Sequence, residues 1–324
     1  MDEIIQQTAL AAAAAAERIV GKIERTELRR SEVFSTELSA NIFFKLENLQ
    51  TTGSFKLRGA TNRLMTLQEE EKAKGCVTAS SGNHAAATAC AMQKLGLSGV
   101  IFVPEQTSST KVDKIRSYGG DVRFFGTDGL DTEQYARQYA EDNGMFYVSP
   151  YNDEQVIAGQ GTCGIEMLEQ YPEIDTVLIA VGGGGLIGGV GSVLKAHNSD
   201  IKVYGCQPKA SAVMALSVAE GELLDIPSEP TLSDGTAGGI EPGAITFALN
   251  QATVDEFITV SEEEITEAMR LYVNIEGHTI EGAAGVAIAS LLAIKDEILG
   301  RNVVVVICGG NIADEKIAAI MGKA

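Results

Sequence analysis

Short β-branched runs alternate with longer amphipathic stretches along most of the chain, and this alternation restricts the fold more than any other feature. Cys76–Thr78, Val100–Val103, Val122–Phe125, Val177–Val181, Ile201–Tyr204 and Val303–Ile307 read as strands. Between them, Leu57–Lys72, His84–Leu95, Ser109–Tyr118, Thr132–Asn143 and Glu262–Asn274 repeat apolar residues at helical spacing. The order predicts an α/β protein with two open, mostly parallel sheets flanked by helices, one built from about 50 to 148 and the other from about 172 onward. No repeat or Pro/Gly/Ser-rich linker marks a boundary. Ligands of such sheets bind outside the carboxyl ends of the strands, so a site is expected in the cleft between the two.

Four segments carry chemistry. Gly53-Ser54-Phe55-Lys56-Leu57-Arg58-Gly59 places Lys56 at a helix start, where the positive end of the helix dipole favours a neutral amine. Such an amine suits imine chemistry; taken alone, Lys56 reads sooner as a solvated surface lysine. Ser80-Ser81-Gly82-Asn83-His84 follows a strand and opens an Ala-rich helix, offering hydroxyls and backbone N–H groups to an anion, or an ordinary N-cap and a packed turn histidine. Gly182-Gly183-Gly184-Gly185-Leu186 follows an apolar strand, and its bare backbone suits a phosphate. Cys308-Gly309-Gly310-Asn311 ends the most hydrophobic strand; its thiol faces a bound ring or simply packs.

Several classes are disfavoured. Gly183, Gly185 and Gly188 satisfy G-x-G-x-x-G, which keeps an NAD-binding oxidoreductase open, but the next strand ends at Cys206-Gln207 without the carboxylate a ribose needs. A P-loop would require Lys-Ser/Thr after the glycines. With 25 Lys+Arg against 44 Asp+Glu, the net charge of −19 opposes binding to nucleic acid or anionic membranes. No apolar run approaches the ~20 residues of a membrane-spanning helix. The N-terminus is acidic and Ala-rich rather than signal-like, and reads as a surface helix. Five dispersed cysteines and three histidines without ligand spacing suggest neither disulfides nor a metal site, and a reducing, cytoplasmic setting. Cys76, Cys90 and Cys163 read as core, with Cys206 at a strand end.

Together the four segments, with Phe44-Lys45-Leu46-Glu47-Asn48-Leu49-Gln50 ahead of them, resemble the serine/threonine dehydratase and serine racemase family of fold type II pyridoxal-phosphate enzymes. The likeness runs through nearly the whole chain in the family's order. It implies a large cofactor-binding domain of residues 1–49 plus 149–324, a small mobile domain of 50–148, and a homodimer. It also implies that Lys56 carries pyridoxal 5'-phosphate as an imine, that Phe55 packs on the ring and that Asn83 bonds the ring hydroxyl. Gly182, Gly183, Gly184, Gly185 and Leu186 would hold the phosphate, and Cys308 would face the ring nitrogen. Ser80, Ser81, Gly82 and His84 would receive the substrate carboxylate, with Ser81 also at the position of the racemases' second acid/base. Glu281 resembles a carboxylate near the ring; Gly238 and Gly239 would line the ring face or form a turn.

The expected reaction is β-elimination of water from L-threonine or L-serine, giving 2-oxobutanoate or pyruvate and ammonia. Cys308, a neutral partner for the ring nitrogen, favours elimination over transamination. Serine racemisation, dehydration of hydroxyaspartate or phenylserine, and a non-catalytic binding protein are the alternatives. Hydroxyaspartate would need an extra cation that the sequence does not reveal. The sulfhydrylase branch fits less well, because its Thr-Ser-Gly-Asn-Thr loop is absent. The racemases' divalent-metal positions read Gln207 and Val213 here, so no metal is expected. The few residues after Asn311 leave no room for the regulatory domain of biosynthetic threonine dehydratases.

Overall fold

The structure, a computed structural model, describes residues 2–322. Its ten strands are β1 (Leu28–Arg30), β2 (Asn41–Lys45), β3 (Cys76–Ala79), β4 (Gly99–Val103), β5 (Asp121–Phe124), β6 (Phe146–Tyr147), β7 (Thr176–Ala180), β8 (Lys202–Pro208), β9 (Glu256–Val260) and β10 (Asn302–Val306). They form a six-stranded sheet in the order β1-β2-β10-β7-β8-β9 and a four-stranded sheet in the order β5-β4-β3-β6. Only β1 and β2 pair antiparallel. The predicted α/β class with two mostly parallel sheets is therefore the observed one.

The helices are α1 (Asp2–Arg18), α2 (Glu32–Leu38), α3 (Lys56–Met65), α4 (Glu69–Lys74), α5 (Asn83–Leu95), α6 (Ser109–Ser117), α7 (Gly129–Asp142), α8 (Glu154–Gln170), α9 (Gly185–His197), α10 (Val213–Glu220), α11 (Ile245–Thr253), α12 (Glu262–Glu276), α13 (Gly282–Ala293) and α14 (Asp314–Ile320). The single helix expected over Leu57–Lys72 is two. Arg63 and Thr66 close α3 through their own hydrogen bonds, and a Gln68/Glu71 capping box opens α4.

Val303–Ile307 are buried without exception because β10 lies inside the larger sheet, covered on both faces. Buried parallel strands lose the alternation of half-exposed ones and read as continuous apolar runs.

Helix α3 joins the two layers. Leu57, Ala60 and Leu64 pack into the core of the smaller sheet. Its opposite face meets α8 so closely that a Cβ on Gly159 would lie 2.6 Å from the Gly59 Cα. Beside this crossing, the fully buried Arg58 guanidinium grips two carboxylates. Its Nε and Nη2 donate to Glu47 at 2.8 and 2.7 Å, while Nη1 and Nη2 donate to Glu166 at 2.7 and 2.8 Å. Lys45 adds a second cation, 2.6 Å from Glu166. Paired and hydrogen-bonded in this way, the charges tolerate burial that neither sign would tolerate alone.

Candidate active site

The four segments meet at the carboxyl ends of parallel strands. Ser80–Gly82 follow β3, the glycines follow β7, and Cys308 follows β10. Lys56 opens α3 from a turn held against the end of β10: the Phe55 amide donates to the Cys308 carbonyl at 3.0 Å, and Ser54 bridges to Gly309.

The Lys56 Nζ donates to the Pro150 carbonyl at 2.8 Å and lies 5.2 Å from the Phe55 ring centroid. Burial lowers its pKa to about 8, against the opposing pull of Cys308 and Glu281. The helix-start position expected from sequence is present, yet desolvation dominates the shift. Burial, and secondarily Glu281, push the Cys308 thiol well above its ordinary range, so it stays protonated.

Two helices present bare amino ends to the cleft. Neither α9, with Gly184 as N-cap at φ 83°, nor α5, with Gly82 as N-cap, has a side-chain cap. Their first-turn N–H groups remain available to anions. Ser80 Oγ accepts from the Gly82 amide at 3.1 Å and shapes the loop, where Ser81 is half-buried. The His84 ring is buried, its Nε2 3.0 Å from the Val148 carbonyl, and burial drives its pKa down to about 3. It is a neutral packed ring; what His84 offers an anion is its backbone.

Asn83 Nδ2 donates to both Glu281 oxygens at 2.9 Å, and Asn311 Nδ2 donates to Asn83 Oδ1 at 2.6 Å. Glu281 lies over Gly309, where a Cβ would stand 2.6 Å from its Oε1. Its pKa is raised by burial, with Asn83 and the Asn311 amide opposing. Gly238 and Gly239 are exposed in a loop, the Gly238 amide donating to Ser228 and Ser211 at 3.2 and 3.3 Å. The structure groups Gly238 with these serines.

Comparison with known proteins identifies the family. The family model described as "Pyridoxal-phosphate dependent enzyme" matches residues 19–309. The chain belongs to the pyridoxal-phosphate dependent enzyme family. It is 40% identical over 301 residues to an L-threonine ammonia-lyase of Thermotoga maritima, covering 93% of this chain and 75% of that one. The structure is similar to the processed form of threonine deaminase isoform 2 from Solanum lycopersicum, with TM-score 0.93 and 33% identity over 99% of this chain and 93% of that one. It is also similar to maize serine racemase, with TM-score 0.89 and 32% identity over 97% and 98%.

A pyridoxal-phosphate enzyme needs an amine, an anion cradle and a partner for the ring, and this donor set fits. Lys56 supplies an amine of lowered pKa, the open end of α9 faces the half-buried Gly182 and Gly183, and Cys308 supplies a protonated thiol. The dinucleotide reading of the glycines gives way to packing. A Cβ on Gly188 would lie 2.7 Å from Leu249, and one on Gly189 would lie 2.4 Å from the Ile157 carbonyl oxygen.

Tyr151 gave no signal in the sequence. A Cβ on Gly183 would lie 2.4 Å from its ring, and its hydroxyl accepts from the Glu241 amide at 2.9 Å. With Pro150 holding Lys56, this segment joins the amine to the glycine loop. Gln207, at a position where the racemases place a metal ligand, instead spends its amide on Val181 and Ser211 carbonyls and the Ala215 N–H.

Proposed function

We propose that this enzyme is an ammonia-lyase that converts L-threonine or L-serine to 2-oxobutanoate or pyruvate and ammonia. The observation that carries the reading is the half-buried Lys56 amine, held on the Pro150 carbonyl near a protonated thiol and lowered to about 8. The threonine-specific names of the relatives support it. The six-stranded sheet with its helices, residues 1–49 plus 149–324, acts as the larger unit, and 50–148 as a small unit that moves on substrate binding.

Bound pyridoxal phosphate supplies an electron sink that makes the α-proton of an attached amino acid acidic. Lys56 takes that proton: an amine near 8 is partly free at neutral pH, whereas one at 10.5 is almost wholly protonated. The bare N-terminus of α5, with Ser80, Ser81 and Gly82, receives the α-carboxylate. Gly182–Gly185 and Leu186, at the uncapped start of α9, would hold the phosphate. Cys308, a protonated thiol, would place no negative charge against the ring nitrogen and would not enforce its protonation, which would favour loss of the β-hydroxyl over transamination. In the net reaction the substrate loses its α-proton and β-hydroxide as water, and water then replaces the nitrogen, released as ammonia.

Racemisation is the second reading, favoured by the half-buried Ser81 in the same loop and by the likeness to maize serine racemase. Incubation with L-serine, scored for pyruvate and by chiral chromatography for D-serine, separates them. Pyruvate in excess supports the lyase; D-serine in excess overturns it.

A further inference from the structure

Helix α6 belongs to the smaller sheet, yet its half-buried Lys114 reaches across the cleft to the turn after β10. There its Nζ donates to Asn311 Oδ1. Asn311 Nδ2 donates in turn to the Thr52 carbonyl at 2.9 Å and to Asn83 Oδ1 at 2.6 Å. Asn83 Nδ2 then donates to both Glu281 oxygens at 2.9 Å, and the Asn311 backbone amide donates to Glu281 Oε2 at 3.2 Å.

The direction of this chain follows from its two ends. An ammonium group only donates and a carboxylate only accepts, while each amide between them does one at its oxygen and the other at its nitrogen. With Lys114 at one end, the Asn311 oxygen must face it, so the Asn311 nitrogen faces Asn83. The Asn83 oxygen is thereby occupied and its N–H groups point toward Glu281. Reversing either amide would set oxygen against oxygen or N–H against N–H in a low-dielectric cleft, where mismatched polar groups are most costly. Space is equally constrained. A Cβ on Gly53 would lie 2.4 Å from Asn311 Oδ1 and one on Gly309 would lie 2.6 Å from Glu281 Oε1, so both glycines give the relay room.

We infer that Lys114 is a positioning residue: from the opposite wall of the cleft it fixes the Asn311 and Asn83 amides so that Asn83 keeps its oxygen on Asn311 and its N–H side on Glu281, the orientation in which it meets the edge of the cofactor ring. In this role Lys114 acts only through the relay, by its bond to Asn311. It makes the polarity of the ring site depend on a cation carried by the small unit. The inference rests on the reading of Asn83 as a cofactor contact. Asn83→Ala, titrated with pyridoxal phosphate beside wild type, tests that reading separately: unchanged affinity and an unchanged band there remove the contact itself.

The test uses the full chain stripped of cofactor and titrated with pyridoxal phosphate, comparing wild type with Lys114→Met, Lys114→Arg and, as a control, Lys111→Met, which alters an exposed lysine of the same helix. Loss of one charge-assisted hydrogen bond corresponds to a weakening on the order of tenfold. Lys114→Met should therefore bind the cofactor about tenfold more weakly and show a displaced visible band once loaded. Lys114→Arg should restore the band and most of the affinity, and Lys111→Met should match wild type. Should Lys114→Met fail to fold, Lys114→Ser carries the same comparison. Unchanged affinity and an unchanged band in the Lys114 variant overturn the inference, as does an equal loss in Lys111→Met.

Discussion

Asn83 Nδ2 lies 2.9 Å from each oxygen of Glu281, a residue 198 positions away in sequence, and through this contact the start of α5 is tied to the start of α13. The carboxylate is buried, and burial raises its pKa above the ordinary 4.5. A carboxyl group whose folded-state value is raised binds its proton more tightly folded than unfolded. Its contribution to stability is therefore fully present below about 4.5 and is lost as pH rises through the raised value. Denaturant unfolding of the apoenzyme at a series of pH values should show this decline, and Glu281→Gln should flatten it. An identical pH profile in the variant would show that Glu281 is not the titrating group.

Lys56, in contrast, has its pKa lowered to about 8 by burial. Its free-base fraction in the apoenzyme should rise around pH 8 rather than 10.5. The rate at which an amine-directed reagent modifies Lys56, followed by peptide mapping, should reach half its maximum near that pH.

The glycine loop is predicted to be intolerant at Gly183. Gly183→Ala forces a methyl group to within 2.4 Å of the Tyr151 ring, which must shift and with it the hydroxyl that accepts from the Glu241 amide. Overpacking of this kind costs about 1–3 kcal/mol of stability, measurable as a drop in the urea midpoint of the apoenzyme. Tyr151→Phe keeps the ring and should cost only about 1 kcal/mol of stability.

Arg58→Met should be among the most destabilising single changes. It leaves Glu47 and Glu166 facing each other without their shared guanidinium, the former at zero exposure. Removing one partner of a buried ion pair costs about 3–5 kcal/mol, measurable as a drop in urea midpoint.

These predictions also mark what the sequence disclosed. The strands at Val100–Val103 and Val303–Ile307 and the four segments were legible because each is a local pattern: an apolar run, a glycine cluster, a lysine or serine beside a turn. Strand β9 escaped notice because Glu256–Val260 is a sheet-edge strand with alternating exposure and no flanking glycine. Tyr151 and Lys114 were invisible for a different reason. Their partners lie in other elements, and no local spacing announces that a tyrosine will cover a glycine or that a helix-surface lysine will cross a cleft. Nothing local announces that Lys45 is fully buried, as it is because Glu166 waits for it 121 positions later. His84 was legible as a turn residue, but the commitment of its ring to Val148 was not.

The account turns on Lys56 as the amine that holds the cofactor and moves the α-proton. Its most direct test is L-threonine turnover by holoenzyme, scored for 2-oxobutanoate and ammonia, in wild type and Lys56→Ala, alongside borohydride reduction and peptide mapping of the wild type. Equal amounts of the two products from wild type, none from the variant, and cofactor fixed on the peptide containing Lys56 are the predicted results. Cofactor fixed on a different lysine, or undiminished 2-oxobutanoate from Lys56→Ala, would contradict the account.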